Sequence, residues 1–148
     1  MSGAPEATDP GAFVRYRGTV TVQFSAALRI AGLEPGDTAG RLHGHDFTAV
    51  FLFESTTLTY PGVVVDHDMR DEITGRITDR LHHRDLDRLL DRPATCEAIA
   101  DYLATWYVRS ARPPGHAHLL GVTVTTAAGD HGEIHLPSAR QLPAGGTR

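Results

Sequence analysis

The sequence predicts an α+β fold in which one antiparallel sheet of four strands carries two helices on the same face. Two observations lead to this prediction. Long segments towards both ends of the chain alternate apolar and polar residues, as half-buried strands do, and two segments between them repeat apolar residues at helical spacing. Since the order is a long hairpin, a helix pair and a second hairpin, we expect the helices to cover one face of the sheet.

The first strand is the clearest element. From Val14 to Ile30 the even-numbered positions are mostly apolar and the odd-numbered positions mostly polar, so the even-numbered face should be buried. Pro35 and three glycines then break regular structure. A second strand is expected from about Arg41 to Glu54.

Two helices are expected next. The first should run from about Asp68 to His82, with Asp68 capping the free N–H groups at its start. The second should run from about Cys96 to Ser110, behind a Thr95 cap. The apolar positions that set the two helical stripes are Met69, Ile73, Ile77 and Leu81 in the first helix and Ile99, Leu103 and Trp106 in the second.

A final hairpin completes the sheet. Leu119 to Thr126 alternates again, and Gly132 to Leu136 is expected to pair with it. These elements define a single domain over residues 13–137. A flexible N-terminal segment, 1–12, and a flexible C-terminal tail, 138–148, are expected to flank it.

The composition excludes several classes of protein. A hydrophobic fraction of 41% with 22% charged residues is typical of a globular chain. The net charge of −4 gives no general attraction for nucleic acid or anionic lipid, so neither is expected as a partner. No apolar run is long enough to span a membrane. The single cysteine fits a reducing compartment, and we expect a cytoplasmic location.

One short motif carries metal-binding chemistry. His43 and His45 lie at positions i and i+2 of the second predicted strand, where both imidazoles project to the same face and can hold one metal ion. Alone, this spacing is a weak signal, because two polar residues on a half-exposed strand are an ordinary alternative.

Several further motifs occur around this pair in a fixed order. They are Phe24-Ser25-Ala26-Ala27, Gly62-Val63-Val64-Val65-Asp66, Leu81-His82-His83-Arg84-Asp85-Leu86-Asp87 and Thr95-Cys96-Glu97. With the His-Gly-His segment between the first and second of them, this order closely resembles the 6-pyruvoyl-tetrahydropterin synthase and 6-carboxytetrahydropterin synthase family. The resemblance covers about Val20 to Thr126.

The resemblance implies both an architecture and a site. Family members have the tunnelling fold, a four-stranded antiparallel sheet with two helices on one face. Their subunits associate into rings whose sheets close a barrel, which implies a homo-oligomer, a trimer or a hexamer, for this chain. In the family, the active sites lie between subunits and hold zinc on three histidines, and the substrate is a small molecule, dihydroneopterin triphosphate.

The implied metal site is incomplete in this sequence. His43 and His45 match two of the family's zinc ligands, whereas Leu28 stands at the position of the third. Two protein ligands are fewer than catalytic zinc sites keep, so zinc, the one cofactor that the resemblance implies, should bind weakly. His67 or His82 could rebuild a third ligand.

The implied acid/base residues also differ. The family has a cysteine just before the His-Gly-His run, where this chain has Ala39, and Cys96 does not replace it. The family's Asp-His dyad corresponds to His82-His83, so the His83 imidazole loses the carboxylate that would orient it. Asp66 is a candidate to take that role, as are Asp85 and Asp87. Alternatively, His82 and His83 only end a helix and interact with its dipole.

The implied substrate-binding positions are Leu28, Ala39, Thr95, Glu97 and Thr125. Glu97 matches a family position, or serves only as an acid in the first turn of a helix. The family's glutamate for the pterin edge is absent from the third strand, where Thr125 and its neighbours stand. A threonine hydroxyl cannot replace the paired hydrogen bonds of a carboxylate, so pterin recognition is not expected.

We therefore expect a divergent enzyme of this family, a lyase or cyclase that acts on a non-pterin small molecule in a pocket between subunits. His83, with His82 and Asp66, would supply acid/base chemistry. Two alternatives stay open at the level of the sequence. One is a non-catalytic small-molecule-binding or assembly protein on the same fold, and the other is a pterin-pathway synthase whose catalytic groups have moved.

Overall fold

The computed structural model describes residues 14–111 and 116–138. The predicted flexible N-terminal segment, 1–12, and all of the predicted tail except Ser138 lie outside the described residues. The strands are β1 (Tyr16–Leu28), β2 (His43–Ser55), β3 (His118–Thr126) and β4 (His131–His135). The helices are α1 (His67–Arg80) and α2 (Cys96–Ser110).

The four strands form one antiparallel sheet in the order β1-β2-β3-β4. Its buried face combines the even-numbered side chains of β1 with the odd-numbered side chains of β2, because the register pairs Phe24 with Phe47 and Val20 with Phe51. Helix α1 packs on β1, and α2 packs on β3 and β4. The α+β fold predicted from the sequence is confirmed. None of the described helices has the length and apolar character that crossing a membrane requires.

The start of α1 differs from the prediction. Asp68 does not cap the helix; it lies in the first turn, and Asp66 is the cap, accepting a hydrogen bond from the Met69 N–H at 2.9 Å. The reason is geometric, since a cap side chain must reach the N–H two or three residues ahead of it while its own backbone stays extended. The predicted Thr95 cap of α2 is confirmed, with Thr95 Oγ1 accepting from the Ala98 N–H at 3.2 Å.

Strand β1 forms one edge of the sheet, and the segment after α1 covers part of that edge. We call residues 82–85 the edge strap. The His83 N–H donates to the Ser25 carbonyl at 2.7 Å, and the Ala27 N–H donates to the Arg84 carbonyl at 2.9 Å. The Ser25 N–H donates to Nδ1 of His82 at 3.1 Å. Three backbone groups of an edge strand therefore find partners in a segment that is not a strand.

Candidate active-site cleft

A cleft of about 340 Å³ opens where β2 begins, between the sheet and the N-terminus of α2. The end of β1, the start of β2 and the β3–β4 hairpin form its floor, and α2 with the residue that caps it forms one wall. The predicted site residues that line it are Leu28, Ala39, His43, His45, Thr95 and Glu97. Folding thus brings together most of the positions that the sequence singled out.

The two histidines of β2 share one face and lie against one another. Their ring centroids are 4.9 Å apart at an interplanar angle of 85°. His43 Nδ1 lies 2.7 Å from the carbonyl oxygen of Arg41, and since a carbonyl only accepts, this nitrogen carries the ring proton. Nε2 of the neutral His43 ring is therefore an acceptor, available to a ligand or to a proton on a substrate.

Leu28 occupies the place from which a third imidazole could reach the pair. It is the direct cross-strand partner of His43 and is 3% exposed, so its isobutyl group closes that side of the cleft. Within the described residues, no group of three or more His, Cys, Asp or Glu side chains is arranged to hold a metal ion. The residues present do not fit a three-ligand zinc site, and we derive no chemistry from zinc.

Two turns fix the rest of the wall. Ala39 lies in a single 3-10 turn, Thr38–Gly40, and its carbonyl accepts a hydrogen bond from the Ile30 N–H at 2.8 Å. This bond brings Ala39 beside the end of β1. Glu97 lies in the exposed first turn of α2, next to the Thr95 cap. Ala39 supplies no ionisable group, so Glu97 is the carboxylate among the predicted residues of the cleft.

The sequence analysis missed three lining residues of the β3–β4 hairpin: Thr126, Asp130 and His131. Thr126 Oγ1 donates to Asp130 Oδ2 at 3.1 Å and accepts from the Asp130 N–H at 3.0 Å, which fixes the carboxylate beside the cleft. Thr125, which was predicted to bind substrate, lies on the opposite face of the sheet, where its cross-strand partner in β2 is Thr48. Parity along a strand places neighbours on opposite faces, so Thr126 takes the position in the cleft.

The close contact of this hairpin with α2 depends on a glycine. A Cβ on Gly132 would lie 2.4 Å from the Glu97 nitrogen and 2.7 Å from the Cys96 carbonyl carbon. A glycine inside a strand often marks a close approach of another backbone. Gly132 was therefore the feature of the sequence that could have indicated the contact between β4 and α2. With a residue larger than glycine at position 132, β4 could not bring Asp130 and His131 to the N-terminus of α2.

Cys96 lines the same cleft, and the pKa of its thiol is raised. Burial first, and then the nearby charges of Asp130 and Glu97, raise the pKa of its thiol above the ordinary 9.0. Because the thiolate is the reactive form, this shift lowers the reactive fraction of the Cys96 thiol at a given pH.

The predicted acid/base residues lie beside the cleft rather than in it. His83 is exposed and lines an adjoining depression of about 440 Å³, and His45 contributes to both concavities. The His82 and His83 rings stack with centroids 3.7 Å apart. His82 Nδ1 accepts the Ser25 N–H, so the neutral ring bears its proton on Nε2. A backbone donor therefore orients His82, in the place where the family has an aspartate.

The backbone of His83 is unusual. Its φ is +56°, and it is the only residue other than glycine with a positive φ in the part of the chain that the structure describes. This left-handed conformation is costly for a side chain that carries a Cβ. Glycine would adopt it without strain.

Asp66 is far from these groups within one chain. It caps the start of α1, whereas His83 follows the end of that helix. A helix of 14 residues is about 21 Å long. The structure of one chain therefore does not bring Asp66 to His83.

Asp85 and Asp87, the other candidates for orienting His83, each bond to a neighbour instead. Asp85 Oδ1 accepts a hydrogen bond from the Asp87 N–H, and the Asp87 carboxylate pairs with Arg29.

The cleft carries acidic and neutral groups. Glu97 and Asp130 supply two carboxylates, and no arginine or lysine is among the described residues that line it. The apolar part of the wall comes from Leu28, Ile30, Phe47 and small residues. A polyphosphate would meet repulsion from these carboxylates. A neutral or cationic molecule suits the cleft of this chain better.

Comparison with known proteins identifies the relatives of this chain. The model of the 6-pyruvoyl tetrahydropterin synthase family matches residues 17–133. No curated protein sequence matches at a significant level.

Solved structures show the same architecture. The 6-pyruvoyl tetrahydropterin synthase of Caenorhabditis elegans matches with a TM-score of 0.69 at 18% identity, over 84% of this chain and 97% of that one. An uncharacterised protein from Wolinella succinogenes gives 0.67 at 15%, over 82% and 98%. The Plasmodium vivax 6-pyruvoyl tetrahydropterin synthase gives 0.61 at 16%, over 82% and 98%. At these identities the likeness shows the fold, and it confirms the tunnelling fold predicted from the sequence.

Proposed function

Because the chain belongs to the 6-pyruvoyl tetrahydropterin synthase family, we propose that it is a divergent enzyme of lyase or cyclase type that acts on a small molecule other than a pterin. His45 and His83 would exchange protons with the substrate, and Glu97 and Asp130 would bind its polar groups. The single observation that carries this proposal is the composition of the cleft. Its described lining holds three histidines and two carboxylates, but no three of these groups are arranged to hold a metal ion and none of the lining residues is an arginine or a lysine.

The charges of the cleft favour a substrate without phosphate groups. Glu97 and Asp130 are exposed residues of the lining, and their carboxylates attract hydrogen-bond donors and cations. The dihydroneopterin triphosphate of the family would bring several negative charges to that lining. Leu28 and Phe47 add apolar surface at the inner end. These groups together support a neutral or cationic substrate of modest polarity.

The strain at His83 supports a role in chemistry. Side chains held in the left-handed region cluster at functional sites, where the local cost is offset by the surrounding fold. Here the edge strap holds the backbone of His83 against Ser25 while leaving its ring exposed beside His45. An imidazole is a general acid or base suited to neutral pH. We assign the proton transfer to His83 and His45, with His82 as the residue that positions His83 by stacking on it.

We also propose that the active assembly is a ring of identical chains, a trimer or a hexamer, in the cytoplasm. The sheet presents β1 at one edge and β4 at the other, and the edge strap covers β1 only near Ser25 and Ala27. Unpaired strand edges favour pairing with another chain. Exposed apolar residues near the cleft, Leu33 at 41% and Leu42 at 55%, add surface for contact. The native mass in solution tests this proposal, and a monomer at working concentration would contradict it.

The enzymatic proposal is tested by the change that the protein makes in a mixture of small molecules. The purified protein is incubated with a metabolite extract, and the products are followed by mass spectrometry. We expect a compound to be consumed with the loss of a small neutral fragment or with ring closure. His45→Gln and His83→Asn should abolish that change, since asparagine tolerates the left-handed backbone. His118→Gln serves as the control because His118 bonds to the Pro137 carbonyl and is not among the residues that line the cleft.

Two results would overturn the proposal in different ways. Compounds that bind but are never converted would favour the non-catalytic binding protein. Conversion of dihydroneopterin triphosphate at a rate that His45→Gln abolishes would favour a pterin-pathway synthase with relocated groups.

A further inference from the structure

A second concave surface lies on the outer side of α2, away from the sheet. One stripe of α2 forms its floor, residues 89–92 form one wall, and Arg76 of α1 forms the other. We call it the α2 groove; it has a volume of about 450 Å³. The helix residues that line it recur at intervals of three or four positions and so share one face: Ala98, Asp101, Tyr102, Thr105, Trp106 and Arg109.

Arg76 is the central group of this groove. Its guanidinium carbon lies 5.3 Å from the centroid of the Trp106 ring and 5.6 Å from that of Tyr102. Its Nη2 donates to the Tyr102 hydroxyl at 2.8 Å. The guanidinium is therefore held over two aromatic faces by cation–π contact and one hydrogen bond.

The remaining donors of Arg76 are not all used. Its Nε–H is buried and has no hydrogen-bond partner. A buried donor without an acceptor is unfavourable, and an acceptor oxygen placed there would remove that cost. The Tyr102 hydroxyl accepts from Arg76, so its own proton is available to a second acceptor. Arg76 and Tyr102 both line the α2 groove, so both residues bring donors to its wall.

The charges of the groove also favour a hydrogen-bond acceptor that is negatively charged. Arg92 and Arg109 also line it, and the acidic residues of the lining are Asp91 and Asp101. Asp101 pairs with Arg92, which leaves Arg76 and Arg109 facing the single carboxylate of Asp91. Arg109 forms no ion pair with any other residue that the structure describes. The excess of positive charge contrasts with the cleft that holds His43 and His45, where the described lining includes two carboxylates and no arginine or lysine.

We propose that the α2 groove binds a small organic anion, whose carboxylate or phosphate group accepts hydrogen bonds from Arg76 and Arg109. The planar guanidinium groups match the geometry of either oxyanion. The body of the ligand packs on the exposed part of the Trp106 ring. This site is separate from the cleft that holds His43 and His45, and it does not depend on the proposed reaction.

Trp106 makes the test direct, since it is the only tryptophan of the chain. Its fluorescence is titrated at constant ionic strength with inorganic phosphate, phenyl phosphate and benzoate, with benzyl alcohol as the neutral probe. We expect a saturable change with at least one of the two aromatic anions and none with benzyl alcohol. The relative response to phenyl phosphate and benzoate distinguishes phosphate from carboxylate ligands.

Matched arginine variants test the assignment. Arg76→Gln and Arg109→Gln should each weaken binding about tenfold, as expected for the loss of a charged hydrogen bond. Arg70→Gln should not change it, because Arg70 is exposed on α1 outside the groove. If Arg76→Gln does not fold, Arg109→Gln decides alone. Absence of saturation with every anion, or equal affinity in wild type and Arg109→Gln, would overturn the proposal. His45→Gln should leave the titration unchanged, so failure here and failure of the proposed enzyme are distinguishable.

Discussion

Replacement of Leu28 by histidine should create a zinc site in the cleft. Leu28 lies directly across the strand pair from His43 and shares the buried face with it. A histidine at position 28 would place a third imidazole beside His43 and His45. Three protein ligands with an open fourth position are the usual arrangement of a catalytic zinc site.

The structure allows the size of the effect to be worked out. Leu28 is 3% exposed, so the metal-free variant loses the burial of a leucine and gains a buried polar ring, a cost of about 3 kcal/mol. For a domain of this size, that corresponds to a fall in Tm of about 9 °C. Zinc at a thousand times its Kd adds about 4 kcal/mol to the stability of the folded state. The zinc-bound variant should therefore melt near or above the wild type.

The assay is thermal unfolding with and without excess zinc, supported by the metal content of the dialysed protein. Leu28→Gln is the matched control, since it introduces a polar side chain of similar size that does not complete the site. Adding His43→Ala to Leu28→His should remove most of the zinc response. A zinc response of Leu28→His no larger than that of Leu28→Gln would refute the reasoning that Leu28 occupies the missing ligand position.

Three further predictions concern stability. Gly132→Ala should lower the free energy of unfolding by about 1–3 kcal/mol in urea denaturation, since its Cβ would clash with the backbone at Glu97; an unchanged midpoint would contradict this close contact. Burial opposes the ionisation of Glu54, but hydrogen bonds and charges of Arg15 and Arg17 outweigh it and lower the pKa of that carboxyl below 4.5. The stability from these two ion pairs is therefore present above the pKa of Glu54 in the unfolded chain and is lost as pH falls through the lowered pKa of the folded state. Glu54→Gln should be less stable at pH 7 and should lose less stability on acidification, whereas parallel curves for the two proteins would count against the assignment. His83→Gly should match the wild type or exceed its stability by up to about 1 kcal/mol, because glycine relieves the positive φ, and a clear loss in the same urea assay would show that the side chain of His83 stabilises the fold.

Much of the fold could be predicted from the sequence because the strand signal is long. From Val20 to Leu28 the side chains of β1 alternate between buried and more exposed positions, and such a run indicates a strand with period two. The helix positions followed from apolar spacing and from Thr95. The first cap was assigned to Asp68 instead of Asp66 because both are acidic and lie two residues apart, and only the backbone conformation distinguishes them.

The site was predicted only where its residues lie on those elements. His43, His45 and Leu28 face one another because strand pairing and parity determine it. Asp130 and His131 enter the cleft through the turn of a hairpin and the contact at Gly132, which no periodic pattern describes. Thr125 was assigned to the site although Val122 and Val124 mark the buried parity of β3, which places Thr126 and not Thr125 on the face of the cleft.

The hydrogen bonds of the edge strap divide β1 into a part whose outward backbone groups are already bonded and a part that the strap leaves uncovered. Around Ser25 and Ala27 the outward N–H and C=O groups are occupied by the chain itself. Another polypeptide could add a strand only to the stretch from Tyr16 towards Phe24. The added strand would have to end its pairing beside His83. The boundary between one molecule and the next would then fall at this imidazole, and residues of both molecules would surround it.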